Sequence, residues 1–443
     1  MAETRPVIDV GDRMSPPRAF VLGFQHLMCM FSGTVLVPLL TGLSPSIAIM
    51  CSGIGTMIYL LCTKSQIPSY LGSAFAFITP IAAVAGTQGV SAVGGALVAS
   101  GLVFLAVAGI VKLAGTGWID RFLPAPVTAP VVIVIGVGLS ANAIQQAFYN
   151  GAWGTGAPFS MESFAIAAIT LAVSIAFSTF AKGHLSTMPV LIGIIAGYVC
   201  AACIGMVDFQ PVLDAAWVGL PSLVAPTFSL NAILLIAPVT LVVVIEHIGH
   251  LLVVEEVVGR DYSKMLPRSL AGDGLSILVS GLIGGTPTTT YAQNIGVISV
   301  TRVYSTQVFW YAAAIALVVG GFCPKLEALI NSIPTCVIGG VSILLFGLIA
   351  LNGLEMMVNK GVDFKVPRNQ MIISSILILG IGMETAGISI PIGSYALPGM
   401  AASALLGIIL NIVLPREGTP DKSDKPQKDS AEEGSSQEAA NAA

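Results

Sequence analysis

Charge is what this sequence lacks most. Only 9% of its 443 residues are Asp, Glu, Lys or Arg, while 55% are hydrophobic. Soluble globular chains carry about a quarter charged residues, so composition excludes one large water-soluble core. The deficit is also local. No Asp, Glu, Lys or Arg occurs between Arg18 and Lys64, between Lys64 and Lys112, or between Arg121 and Glu162. A spanning helix needs about 20 apolar residues, so each gap holds two spans.

Other absences narrow the function. There is no basic patch interleaved with aromatics, so nucleic acid is not an expected partner. The seven cysteines (Cys29, Cys51, Cys62, Cys200, Cys203, Cys323 and Cys336) are odd in number and scattered through apolar runs. They read as small packing residues rather than as disulfides or metal ligands. Cys200-x-x-Cys203 lacks the strand context of a redox motif. Without a metal-ligand cluster, nucleophile elbow or phosphate-binding loop, neither enzymatic activity nor a cofactor is expected. The first seventeen residues are polar and contain proline, then a full-length span begins, so no cleavable signal peptide is expected. The net charge of −4 says little about partners, because the acidic excess sits partly in the C-terminal tail.

What is present is a series of apolar windows. They lie near residues 18–40, 45–63, 70–85, 93–114, 127–148, 163–181 and 187–207. A second series lies near 230–254, 268–285, 291–303, 306–323, 334–352, 370–388 and 393–415. The expected fold is therefore an all-α polytopic membrane protein with fourteen transmembrane segments. Placing the N-terminus in the cytoplasm leaves Lys325 alone, of nineteen Lys and Arg residues, in an outside loop. The positive-inside rule then puts both termini in the cytoplasm. Residues 1–17 form a cytoplasmic segment, and 416–443, rich in Lys, Asp, Glu, Ser and Gln, read as a disordered tail.

Fourteen spans divide into two repeats of seven, and an odd number inverts one copy relative to the other. The third window reads Ile67-Pro-Ser-Tyr-Leu-Gly-Ser-Ala-Phe-Ala-Phe-Ile-Thr-Pro80. The tenth follows Gly284-Gly-Thr-Pro-Thr-Thr-Thr-Tyr-Ala-Gln-Asn-Ile-Gly296. Both are short and mix Gly, Pro, Ser or Thr with aromatics. Interrupted segments at matching places in inverted halves mark a transporter's central site. In hydrocarbon, irregular backbone is tolerable only where protein or a wet cavity surrounds it. The β-branched run Thr288-Thr-Thr-Tyr291 favours an extended backbone, and Phe75-Ala-Phe77 does so more weakly. Two short strands meeting near the membrane middle are predicted.

Glu246 lies deep in the eighth window, within Ile245-Glu-His-Ile-Gly-His250. An acid at such depth costs about 2.5–3.5 kcal/mol on insertion scales, so it faces the protein interior as a functional or clamping group. His250 is one turn on, along the same helix face. Desolvation favours the neutral acid and an imidazolium the ionised one, so the pair is suited to exchange a proton. His247 points elsewhere and reads as a hydrogen-bonded packing residue. Gln25-His26 in the first window suits either packing or ligand contact. Asp273 is placed near the cytoplasmic end or against a neighbouring helix, and Arg302 reads as an interfacial anchor. Gln293 and Asn294 offer amides, each both donor and acceptor. Glu246 and Gln293 together suit a planar ligand with amide-like edges, which Phe75, Phe77 and Tyr291 would flank.

At these residues the sequence resembles the nucleobase–cation symporter family, which also contains the nucleobase–ascorbate transporters. The resemblance runs through most of residues 18–415 and is strongest to bacterial uracil permeases. It is carried by Gln25-His26, Ile67 to Phe77, Glu246-His-Ile-Gly-His250, Tyr291-Ala-Gln-Asn-Ile-Gly-Val297 and Thr301-Arg-Val-Tyr-Ser305. It implies a core of spans one to four and eight to eleven (about 18–114 and 230–323). It implies a gate of spans five to seven and twelve to fourteen (about 127–207 and 334–415). It further implies proton-coupled nucleobase import across the bacterial inner membrane, with the core moving elevator-like against a gate that forms a homodimer. By resemblance, Glu246 grips ring N–H groups, and backbone amides at Phe75 and Ala292 bond the carbonyls. Tyr291 and Phe75 flank the ring, His26 reaches the site through water, and His250 ties Glu246 to proton movement. Two positions depart from the uracil permease pattern. Gln293 stands where those proteins carry Glu, as in the xanthine branch, and Phe346 stands where they carry Tyr. Uracil is the expected substrate, with xanthine or another oxopurine as the alternative. An anion transporter of the same architecture is a more distant one.

Overall fold

The computed structural model describes residues 7–115, 117–149, 158–392 and 395–415. The tail read above as disordered lies outside the described residues. Among the described residues, eight helices are long and apolar enough to cross a membrane alone. They are Pro16–Thr41, Pro45–Cys62, Val90–Ala114, Ala125–Tyr149, Met161–Phe180, Leu230–Val258, Thr335–Asn359 and Pro367–Ala386. A ninth arises if Thr306–Gly320 is joined to Pro324–Asn331 across an 83° bend. The remaining apolar windows hold shorter or more polar helices: Ile78–Gln88, Pro189–Cys203, Leu266–Ile283, Ala292–Thr301 and Gly399–Val413. Continuous helices by themselves thus supply eight or nine crossings rather than the fourteen expected.

Local chemistry sets the helix ends. Ser44, Ser160 and Ser229 each cap a helix, their hydroxyls accepting from Ile47, Ser163 and Ala232 N–H respectively. Gly42 and Gly259, at φ 74° and 71°, turn the chain left-handed beyond Thr41 and Val258. Pro238 lacks an N–H, and around it Ala237–Val239 tightens to a 3₁₀ turn between Leu230–Ile236 and Thr240–Val258.

The helices pack in two groups. In the first, Leu266–Ile283 lies between Val90–Ala114 and Pro45–Cys62, while Pro16–Thr41 packs on Thr306–Ile315. Glycines bring the first pair together. A Cβ on Gly94 would lie 2.6 Å from the Gly281 carbonyl oxygen, and one on Gly101 would lie 2.7 Å from that of Gly274. Small residues replace the hydrophobic drive that helices lack inside lipid. In the second group, Thr335–Asn359 packs on Ala125–Gly138, Ser140–Tyr149 and Met161–Phe180, and Pro367–Ala386 on Gly399–Val413. Outward positions are apolar: Phe180, Ile378 and Val413 are each more than 70% exposed. Such surface suits lipid rather than water.

Two short strands interrupt the first group. β1 (Leu71–Ser73) pairs antiparallel with β2 (Thr288–Thr290) in the register Leu71↔Thr290, Gly72↔Thr289, Ser73↔Thr288. β2 falls where its β-branched run predicts. Phe75-Ala-Phe77 is not extended but forms a 3₁₀ turn leading into Ile78–Gln88. The strand in that window comes just before it, where Leu71-Gly-Ser73 finds a hydrogen-bonding partner. A second hairpin, unforeseen, joins β3 (Ser389–Ile392) to β4 (Tyr395–Pro398). Within the last apolar window Tyr395–Pro398 is extended, Pro398 disfavouring helix in the residue before it, and Gly399–Val413 is helical. Residues Val7 to Met14 dock on the segment after Thr301. Val7 N–H donates to Arg302 O at 3.0 Å, and Tyr304 N–H to Ile8 O at 2.9 Å.

Candidate functional site

The β1–β2 ladder carries the site. Its backbone is bonded beyond the strand pairing: Ala74 N–H donates to Pro287 O at 2.8 Å, and Leu71 N–H to Thr56 Oγ1 at 2.9 Å. Ser73 Oγ donates to Thr34 O at 3.0 Å and meets Thr286 Oγ1 at 2.7 Å. Each strand then runs into a helical segment. Phe75 is the first residue of one and Ala292 the first of the other. The first N–H groups of a helix have no partner within it, and the helix dipole makes that end positive. Two such ends therefore flank the same ladder.

Facing them, Thr240–Val258 presents Glu246 and His250. These two line a cavity together with Ala74, Phe75, Thr289, Tyr291 and Gln293, and from the second helix group Ile349 and Asn352. Glu246, His250, Phe75, Tyr291 and Gln293, all selected from sequence, are thus brought to one place. The cavity measures about 20 Å³, room for roughly one water. Tyr291 is firmly held. Its hydroxyl donates to the Ser73 carbonyl, and its ring fits between Gly33 and Gly72. Phe75 meets it edge-on, with centroids 5.6 Å apart at 65°, so the two rings do not lie parallel around a common slot. Phe77 is wholly buried and does not line the cavity.

His26 and Ala292 stand differently. His26 does not line the cavity; its Nδ1 meets Asn294 Oδ1 at 2.6 Å, beside Gln293. Its ring packs on Phe309 at 4.7 Å. Ala292 contributes its position at the start of Ala292–Thr301. Neighbouring Gln25 Nε2 donates to Thr187 Oγ1 at 3.3 Å, linking the first helix to the Gly183–Thr187 turn.

Asp273 and His247 support the site from behind, His247 as the hydrogen-bonded packing residue expected. Both are completely buried, with His247 Nδ1 2.8 Å from Asp273 Oδ2 and His247 Nε2 2.7 Å from Ser269 Oγ. Ser269 Oγ in turn meets the Tyr59 hydroxyl at 2.7 Å. Thr289 donates to the same Asp273 oxygen at 2.8 Å, while Thr290 Oγ1 lies 3.3 Å from His250 Nδ1. Asp273 thus bonds the neighbouring helix, one of the two places foreseen for it. The available signal was an acid between two glycines, Gly272 and Gly274, in an otherwise apolar helix. Asn352 was missed altogether.

Residues 17–388 match the sequence profile Xan_ur_permease, described as a permease family. The chain belongs to the nucleobase–ascorbate transporter family. It is 44% identical over 424 residues to the uracil permease of Bacillus subtilis (strain 168), covering 94% of this chain and 97% of that one. It is 46% identical over 421 residues to the uracil permease of Bacillus caldolyticus, covering 93% and 95%. With the uracil permease of Escherichia coli (strain K12) it shares 40% over 412 residues, covering 93% and 94%. Among solved structures, the fold is similar to the transmembrane domain of a cyanobacterium bicarbonate transporter, BicA. That match has a TM-score of 0.62 at 15% identity and covers 91% of this chain and 100% of that one. Murine Slc26a9, an anion transporter solved inward-facing, aligns with a TM-score of 0.68 at 10% identity, covering 90% and 69%. At such identities these two show the fold alone. The family permease is a multi-pass membrane protein, and its central cavity lies where two broken segments meet an acid.

Proposed function

We propose that this permease imports a nucleobase, uracil in preference to xanthine, by proton-coupled secondary transport across the bacterial inner membrane. The observation that carries the reading is the cavity: a mid-helix carboxylate, Glu246, faces two helix N-termini and an amide, Gln293, around aromatic side chains. A uracil-like ring offers N–H donors to a carboxylate and carbonyl oxygens to backbone amides. Glu246 takes the N–H groups, with the amides of Phe75 and Ala292 on the carbonyls. Phe75 and Tyr291 bury the ring, and His250 exchanges the proton with Glu246. His26 acts through Asn294. The uracil permeases among the relatives support the substrate class.

The size of the cavity supports a motion. Room for one water does not admit a six-membered heterocycle, so its walls must part. Thr240–Val258 packs mainly on Ala292–Thr301, Val90–Ala114, Leu266–Ile283 and β2 and so joins the first helix group. Seven of the lining residues then belong to that group and two, Ile349 and Asn352, to the second. We read the groups as a core (18–114 and 230–323) and a gate (127–207 and 334–415), with transport moving the core against a gate that dimerises. The seam is thin beside the site: a Cβ on Gly249 would meet only the Met356 methyl, at 3.4 Å. Fourteen segments in two inverted repeats, with both termini cytoplasmic, fit the paired broken segments and the one-sided Lys and Arg.

Gln293 favours a second reading. It lines the cavity as an amide, which suits a xanthine-type oxopurine. Labelled uracil uptake into uptake-deficient cells, with and without an uncoupler and competed by xanthine and thymine, separates the two. Uncoupler-sensitive uracil uptake is expected; robust xanthine uptake with none of uracil would reverse the order. Anion exchange without nucleobase binding would refute both.

A further inference from the structure

We infer that Asn352 is the gate-side contact for the substrate, closing over it during translocation and setting which ring substituents pass. The inference rests on the nucleobase reading above and concerns a residue outside the motifs that carry it.

Between Glu327 and Glu355 the chain carries no Asp, Glu, Lys or Arg, and Asn352 is the last polar residue before Glu355. An amide in an apolar span is normally spent on a neighbour, because unpaired polar groups in hydrocarbon are costly. Ser342 of the same helix follows that rule, donating to Ile338 O at 2.7 Å. Asn352 does not. No described residue hydrogen-bonds its side chain, and it is the only exposed residue in the cavity lining. It shares the cavity wall with Ile349, one turn earlier on Thr335–Asn359.

Every other polar group of the lining sits on the first helix group. Those groups grip a ligand whichever way the two groups stand, so they set first binding. Asn352 reaches the ligand only when the second group comes against it. A primary amide there offers both a donor and an acceptor to whatever edge the core leaves uncovered. Ile349 beside it supplies an apolar limit on size. A contact made only in the closed state raises turnover rather than initial affinity.

The test separates binding from turnover in purified protein. Equilibrium binding of labelled uracil and thymine is measured for wild type, Asn352→Ala, Asn352→Leu and Asn352→Gln, alongside exchange in proteoliposomes. Uracil Kd is expected to stay within about threefold of wild type in every variant, while exchange falls by about tenfold or more for Ala and Leu. Gln, which keeps the amide, recovers part of that loss, and the thymine-to-uracil exchange ratio rises for Ala. Wild-type exchange rates with an unchanged ratio in Asn352→Ala and Asn352→Leu would overturn the assignment alone. A Kd that rises as steeply as exchange falls would also overturn it, by placing Asn352 in first binding. Wild-type protein that binds no nucleobase would overturn the underlying reading, and this assignment with it.

Discussion

His247 and Asp273 meet at 2.8 Å with neither side chain exposed at all. The pair ties Thr240–Val258, which carries Glu246 and His250, to Leu266–Ile283. The same Asp273 oxygen receives the Thr289 hydroxyl at 2.8 Å and so fixes β2. Three elements of the site therefore share one carboxylate.

Removing one partner of a buried pair leaves the other charge or dipole uncompensated, at a cost of about 3–5 kcal/mol. Asp273→Asn and His247→Leu are accordingly expected to lower the unfolding midpoint of the detergent-solubilised protein clearly, with Asp273→Asn also weakening uptake. Midpoints equal to wild type in both variants would show that the pair does not hold the site.

How much of this could be read from the residues depends on whether a signal is local. Glu246 and His250 are legible because a charge deep in an apolar run has few structural reasons to be there, and a four-residue spacing fixes their common face. β2 is legible in three consecutive threonines. Phe75-Ala-Phe77 misleads because its neighbour Leu71-Gly-Ser73, with no β-branched residue, takes the strand through pairing with distant Thr288–Thr290. The partner of Asp273 lies 26 residues away on another helix, beyond any periodicity. Asn352 carries no charge and joins the site only through the packing of the second helix group.

The Tyr291 ring leaves no space beside β1: a Cβ on Gly72 would lie 2.7 Å from its Cε2. The tyrosine hydroxyl is bonded to Ser73 O, so the ring has little freedom to retreat. Gly72→Val is expected to displace it into the cavity and cut uracil binding by about tenfold or more, in keeping with overpacking costs of about 1–3 kcal/mol. Affinity measured on folded, monodisperse protein checks this, and an unaltered Kd would mean that the ring yields elsewhere.

His250 touches both the cavity and Thr290 Oγ1, at 3.3 Å. His250→Ala should impair proton-driven accumulation far more than exchange of substrate across the membrane, since exchange needs no net proton movement. Accumulation in cells and counterflow in vesicles provide the comparison. Equal losses in both would reduce His250 to a structural role.

Glu246 is the group on which nucleobase binding turns. A carboxylate that accepts hydrogen bonds from a ligand contributes about 1.5–3 kcal/mol more than a lost contact would leave, or roughly 10- to 150-fold in affinity. The most direct measurement is equilibrium uracil binding to purified wild-type and Glu246→Gln protein. Saturable binding by wild type and a Kd at least tenfold weaker for Glu246→Gln are predicted. Equal affinities in the two proteins would contradict the site assigned here.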